Sequence, residues 1–255
     1  VVRELNLWEI YPYINEVALF RGQWQFRRGR RPRQEYERFL EEEVRPLFEE
    51  WKRRAAEEGL LVPQVVYGYF PAQSEGNDLI VYRDPEGRQE WLRFTFPRRR
   101  KPPYLCLADY FEPKGSERVD VLAVQLVTMG PRASEFSRHL FESHQYRDYL
   151  LFHGLSVEAT EGLAEYWHKR IREELGIAHQ DSPNIRDLFK LGYRGARYSF
   201  GYPACPNLED QAKLFLLLEP ERIGVSLTEE YQLVPEQSTS ALIVHHPQAR
   251  YFSVE

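Results

Sequence analysis

Two cysteines, Cys106 and Cys205, are all that the 255 residues contain, too few for a disulfide framework, and with no C-x-x-C pair they make no zinc signature. That scarcity suits a chain kept in a reducing cytoplasm. No apolar run approaches the ~20 residues of a membrane span, so no membrane helix is expected. The N-terminus, Val1-Val2-Arg3-Glu4-Leu5, lacks both an initiator methionine and a signal-peptide pattern, and reads as the start of a piece of a longer polypeptide. An overall excess of positive charge is also missing: the net charge of −5 argues against nucleic-acid binding by the whole chain. None of the seven histidines, His168 and the adjacent His245-His246 included, stands at a metal-ligand spacing. His168 is expected to hydrogen-bond between helices, and His246, before Pro247, to shape a loop.

What is present describes a globular protein: 42% hydrophobic and 29% charged residues, in a length that fits one large domain or two small ones. A single domain over 1–255 is expected. Two runs are locally basic, Arg27-Arg28-Gly29-Arg30-Arg31-Pro32-Arg33 and Arg98-Arg99-Arg100-Lys101, and each is either a solvated loop or a docking patch for an acidic partner.

Apolar residues at spacings of three and four predict an amphipathic helix over 34–58, kinked near Val44 by Pro46 and ended by Gly59. Strands are expected at 65–70, 79–82 and 91–96, with turn-rich loops at 71–77 and 84–88. The nearly continuous apolar stretch 119–128 predicts a central strand buried on both faces. Two helices follow, at about 133–153 and 157–175, then a short helix, then a helix over 208–218 started by Asn207 with Asp210 at its third position. The end of the chain, 230–254, reads as extended. Strands and helices mix without regular alternation and without an internal repeat, which argues α+β.

The most informative run is Arg197-Tyr198-Ser199-Phe200-Gly201-Tyr202-Pro203-Ala204-Cys205-Pro206. Two prolines stiffen it, Gly201 frees one backbone position, and the Arg197 guanidinium can grip a carboxylate through two parallel hydrogen bonds. From the letters alone it is either an ordinary turn with Cys205 as a small buried hydrophobe, or a rigid ligand-holding loop.

This run resembles the R-x-x-x-G-Y-P-A-C-P signature of the C-terminal activation domain of cobalamin-dependent methionine synthase. Further matches follow the same order nearly end to end. Phe70-Pro71-Ala72-Gln73-Ser74-Glu75-Gly76-Asn77-Asp78 is similar to F-P-A-N-x-x-G-D-D, and Cys106-Leu107-Ala108-Asp109-Tyr110 with Pro113-Lys114 to C-L-A-D-F-x-x-P-K. Leu163-Ala164-Glu165-Tyr166-Trp167-His168 falls where the family has A-E-Y-L-H, Leu227-Thr228-Glu229 resembles L-T-E, and His246-Pro247 with Arg250-Tyr251-Phe252 resembles the closing H-P-x-x-x-Y-F.

The resemblance implies a compact α+β domain with a curved, mainly antiparallel sheet flanked by helices. It implies binding of S-adenosylmethionine and reductive methylation of inactive cob(II)alamin to methylcobalamin. That step reactivates a methyltransferase that moves a methyl group from methyltetrahydrofolate to homocysteine. Cobalamin would be held mainly by a neighbouring domain of the same enzyme, and a flavodoxin-like one-electron reductant, commonly acidic, would suit the basic runs. No catalytic acid, base or nucleophile is demanded, because positioning supplies the catalysis. A regulatory module that senses S-adenosylmethionine without turnover fits the same features.

For the site, the resemblance implies Arg197 on the ligand carboxylate; Tyr202 with the backbone of Pro203, Ala204 and Cys205 along the adenosyl side; and Tyr251 and Phe252 reaching the same ligand, Phe252 equally readable as core. Glu161 sits where the family has a helix glutamate near the pocket, or is a solvent-facing helix residue. Tyr13-Ile14-Asn15-Glu16 falls where many members have Y-I-D-W, so Asn15 replaces the aspartate expected to receive the ligand ammonium, and Glu16 is the neighbour that could compensate.

Overall fold

The computed structural model describes residues 1–254. The apolar stretch predicted as a central strand is β4 (Asp120–Thr128), buried continuously from Leu122 onward. It lies inside a six-stranded sheet formed with β1 (Gln64–Glu75), β2 (Asp78–Tyr82), β3 (Glu90–Thr95), β5 (Ala196–Tyr198) and β8 (Ser238–Val244), in the order β3-β2-β1-β4-β8-β5. Every neighbouring pair is antiparallel, and β5 is an edge strand held by Ala196↔Val244, Arg197↔Ile243 and Tyr198↔Leu242. A separate two-stranded ribbon joins β6 (Ser226–Leu227) to β7 (Leu233–Val234).

Period-two alternation splits the core between the two faces of this sheet. Val65, Ala123, Val127 and Ile243 pack against α3 (Arg45–Glu57), α4 (Pro131–Glu142), α5 (Tyr146–Glu174) and an N-terminal segment that begins with α1 (Leu7–Ile10). Val66, Leu122, Val124 and Leu242 face the other way, onto the Leu107–Tyr110 turn and α7 (Asp210–Leu218).

Four local expectations change in the folded chain. The loop expected at 71–77 is mostly strand, since β1 runs on to Glu75. Pro71 is tolerated because it stands opposite Val121 just before pairing with β2 begins at Ala72, where β1 still has a partner on one side alone. The kink expected near Val44 is a widened π-type turn, Leu40–Val44, between α2 (Arg33–Phe39) and α3; it absorbs the donor that Pro46 lacks.

The break expected near 153–157 instead falls at 143–145, and α5 runs unbroken for 29 residues. Gly154 and Gly162 lie inside it for packing reasons. A Cβ at Gly154 would come within 2.8 Å of Gln23, and one at Gly162 within 3.2 Å of the Tyr13 backbone, so both let the N-terminal segment lie directly on α5. Last, α7 begins at Asp210 rather than 208; the Asn207 Oδ1 accepts the Glu209 N–H at 3.2 Å in the preceding turn. The short helix expected before the signature run is α6 (Ile185–Leu188).

Candidate functional site

Helix α5 presents Glu158, Glu161 and Glu165 at spacings of three and four, hence on one stripe. Facing that stripe are Tyr13 and Asn15 of the N-terminal segment, Leu188, Phe189, Leu191 and Tyr193 from α6 and the chain after it, and Arg197 on β5. Together they enclose a cavity of about 270 Å³. Three carboxylates against one guanidinium give this lining a formal charge of −2.

Arg197 Nη1 donates to Glu165 Oε2 at 2.7 Å, with the two side chains 20% and 7% exposed. The second carboxylate oxygen, Glu165 Oε1, is buried without a hydrogen-bond partner among the described residues. Such an oxygen carries the full cost of lost hydration, about 1–3 kcal/mol or more for a charged group, until a donor arrives. Nη1 also lies 3.4 Å from His168 Nδ1. A guanidinium has no acceptor, so the imidazole accepts at Nδ1 and carries its proton on Nε2. His168 is fully buried. Desolvation first, then the charges of Arg197 and Arg172, hold its pKa well below the usual imidazole value. Its ring stands edge-on to Tyr193 at 4.9 Å.

Burial pushes the Glu161 carboxyl up, with Arg197 opposing and Glu165 adding to the shift. Glu158 is raised too, chiefly by burial, while its hydrogen bond from Gln23 opposes. A cation entering the cavity would favour the ionised forms of Glu158 and Glu161, which burial disfavours.

The neutral His168 has a measurable consequence. Its folded pKa is depressed, so below about pH 6.5 the unfolded chain takes up a proton that the folded chain refuses. Stability then falls as pH drops from there toward the folded pKa, by up to about 1.4 kcal/mol per pH unit. Urea unfolding between pH 7 and 5 should show that slope, and His168→Gln should remove its share.

Of the residues read from the sequence, Asn15, Glu161 and Arg197 come together in this cavity. Glu161 lines it from a helix position still open to solvent, with the cavity walls desolvating its carboxyl in part. Asn15 is already engaged: its Oδ1 accepts the N–H groups of Val17 at 3.1 Å and Ala18 at 3.2 Å. Glu16 does not join it, because Arg45 holds both Glu16 oxygens at 2.9 Å.

Tyr202, Pro203, Ala204, Cys205, Tyr251 and Phe252 do not line the cavity. Arg197 alternates along β5 with Ala196 and Tyr198, which face the opposite core, and the run after it folds that way. Phe200, Ala204, Cys205 and Phe252 are buried there. The Cys205 thiol donates to the Ser199 carbonyl at 2.9 Å, and burial pushes its pKa up to about 12. The Cys205 carbonyl accepts the Gly201 N–H, and the Tyr202 carbonyl accepts the Cys205 N–H, each at 3.0 Å, closing a tight loop. Tyr202 and Tyr251 are 58% and 54% exposed, so their rings are open to solvent. The Phe252 ring packs on Tyr198 and Tyr110.

Sequence reading missed Tyr13, Glu158, Glu165, Leu188, Phe189, Leu191 and Tyr193 as cavity residues. The helical stripe of three glutamates was the available signal. Of the basic runs, 27–33 is exposed throughout, with Arg33 paired to Glu37 at 2.7 Å and Arg31 over the Phe39 ring, whereas Arg98 is tied to Asp109 through two hydrogen bonds of 2.6 and 2.7 Å. His246 Nδ1 accepts the Gln248 N–H at 3.2 Å, shaping the loop. Among the described residues no three His, Cys, Asp or Glu side chains converge to hold a metal ion, and no helix is long and apolar enough to cross a membrane.

Comparison with known proteins places this geometry in a lineage. The family described as "Vitamin B12 dependent methionine synthase, activation domain" matches residues 6–255. The chain is 50% identical over 268 aligned residues to methionine synthase of Mycobacterium tuberculosis (strain ATCC 25618 / H37Rv), covering all of this chain and 22% of that protein. It is 48% identical over 269 residues to methionine synthase of Mycobacterium leprae (strain TN), again 22% of that protein. The chain thus spans about a fifth of the length of these relatives. The crystal structure of the MetH reactivation domain bound to AdoHcy superposes with a TM-score of 0.87 at 28% identity, over 98% of this chain and 79% of that one. The motifs, the superposition and these matches agree: the chain belongs to the activation-domain family of vitamin B12 dependent methionine synthases.

Proposed function

We propose that the chain binds S-adenosylmethionine at the cavity beside Arg197 and supports reductive methylation of cobalamin held by a neighbouring domain of the same enzyme. The observation that carries the reading is the charge pattern of the cavity. A lining of formal charge −2 that includes one guanidinium matches a ligand bearing an ammonium, a sulfonium and a carboxylate. The related reactivation domain, crystallised with AdoHcy bound, supports it.

In this reading Arg197 divides its donors between Glu165 and the ligand carboxylate, and the free Glu165 oxygen receives the ammonium. Asn15 keeps its capping bonds and offers no charge. None of Tyr202, Pro203, Ala204, Cys205 or Tyr251 lines the cavity, so the adenosyl group is proposed to extend out of it past edge strand β5, toward the exposed rings of Tyr202 and Tyr251 and the backbone of 203–205. Phe252 is core, its ring against Tyr110 and Tyr198, rather than a ligand contact. S-adenosylmethionine supplies a methyl group already activated by its sulfonium, so the residues here need to bind and orient rather than move protons. The exposed 27–33 run is the surface that suits an acidic, flavodoxin-like one-electron donor.

Calorimetric titration with S-adenosylmethionine and S-adenosylhomocysteine tests the binding, and saturable heats are expected. With the cobalamin domain and a reductant added, methyl label from S-adenosylmethionine should appear on cobalt. Absence of saturable binding overturns the reading, and binding without label transfer leaves a sensor in its place. Asn15→Asp should keep both capping bonds and add a charge beside the ammonium, tightening S-adenosylmethionine by roughly 1 kcal/mol, about fivefold. Unchanged or weaker binding would remove Asn15 from the site.

A further inference from the structure

A second and larger cavity, about 760 Å³, adjoins the first, with Asn15 and Phe189 lining both. Its volume is in the range of small-molecule sites, and its charge is the reverse of its neighbour's. Arg21, Arg45, Lys52, Arg186 and Lys190 against Glu16 alone give a formal lining charge of +4.

Two of these cations are locked in place. Arg45 holds Glu16 and Glu41, and Lys52 pairs with Glu49 while its ammonium lies 4.5 Å from the centre of the Phe48 ring. The other three, Arg21, Arg186 and Lys190, have no carboxylate partner among the described residues. Arg21 is turned by its hydrogen bond to the Tyr36 hydroxyl at 3.3 Å. The same cavity has apolar surface open to it: Trp8 is half exposed, its ring edge-on to Tyr11 at 5.3 Å, and Val17 is 58% exposed.

We infer that this cavity is a second ligand site, built for a nucleoside phosphate, with the base against Trp8 and Phe189 and the phosphates on Arg186, Lys190 and Arg21. Three unpaired cations ask for an anion of more than one charge, which phosphates supply and a single carboxylate does not. The aromatic side chains ask for a planar ring. Opposite lining charges sort the two ligands: a polyanion is repelled from the glutamate stripe, and a sulfonium from the basic cavity. The site stands independently of the function proposed for its neighbour.

The test is titration of the chain with ATP, adenosine and inorganic triphosphate in low salt, followed by calorimetry and tryptophan fluorescence. ATP should bind saturably and quench Trp8, with adenosine and triphosphate each at least tenfold weaker. Arg186→Glu combined with Lys190→Glu, at two exposed positions, should weaken ATP at least tenfold while the thermal melt stays in place. Trp8→Ala should weaken ATP and abolish the quench. Saturating S-adenosylmethionine should leave the ATP site open. No saturable ATP binding, affinity indifferent to the double charge reversal, triphosphate as tight as ATP, or direct competition with S-adenosylmethionine would each overturn the inference.

Discussion

Arg197→Ala is expected to lose S-adenosylmethionine affinity at least tenfold, about 1.4 kcal/mol, and at the same time to lower unfolding free energy by about 3 kcal/mol. The two losses have one cause. Among the described residues the guanidinium is the hydrogen-bond partner of Glu165 Oε2, and the other oxygen of that carboxylate has none. With Arg197 gone, a carboxylate 7% exposed is left without compensation in the protein interior. Pairing Arg197→Met with Glu165→Met separates the contributions, since replacing both members of a buried pair by apolar side chains of similar volume is often neutral. Stability should return in that double variant and ligand affinity should not. Urea midpoints and calorimetric dissociation constants for the single and double variants complete the cycle. A single variant as stable and as tight as the parent would show that the pair has no part in either property.

That cycle also marks where sequence reading stops. Arg197, Asn15 and Glu161 were legible because each falls in or beside a motif. Glu165 falls in one as well, yet nothing local says that it meets Arg197, a contact across 32 residues of chain that exists only once β5 docks beside β8 under α5. The approach depends on Gly195. Its φ of +89° is open to glycine, and a Cβ there would collide with the Val244 carbonyl oxygen. Central strand β4 was readable because burial on both faces needs an unbroken apolar run, and the end of α3 because Gly59 takes a left-handed φ of +60°. The helix break was misplaced for the opposite reason. Gly154 weakens a helix by local propensity, and its close packing on Gln23 and Trp24 overrides that preference. The signature loop illustrates a further limit: Gly201 takes the left-handed φ of +88° that glycine allows, but which face of the sheet the loop would join depends on the parity of β5.

Arg172→Leu is expected to cost about 3–5 kcal/mol, a large loss for a side chain away from the ligand. Arg172 is completely buried on α5, and its Nε and Nη2 donate to both oxygens of Asp181, at 2.9 to 3.1 Å. Removing it strands a carboxylate that is itself 9% exposed. It also withdraws the guanidinium lying 4.1 Å from the centre of the Tyr193 ring, which lines the acidic cavity and stands against His168. Asp181→Asn in the same background should recover much of the stability, because a neutral amide left behind costs less than a charge. Affinity should not recover in step, because the packing on Tyr193 stays absent and the wall of the cavity stays loose. A urea-unfolding series with parallel ligand titrations reads both. If Asp181→Asn restored affinity together with stability, the ring contact would be irrelevant, and Arg172 would serve the fold through its ion pair alone.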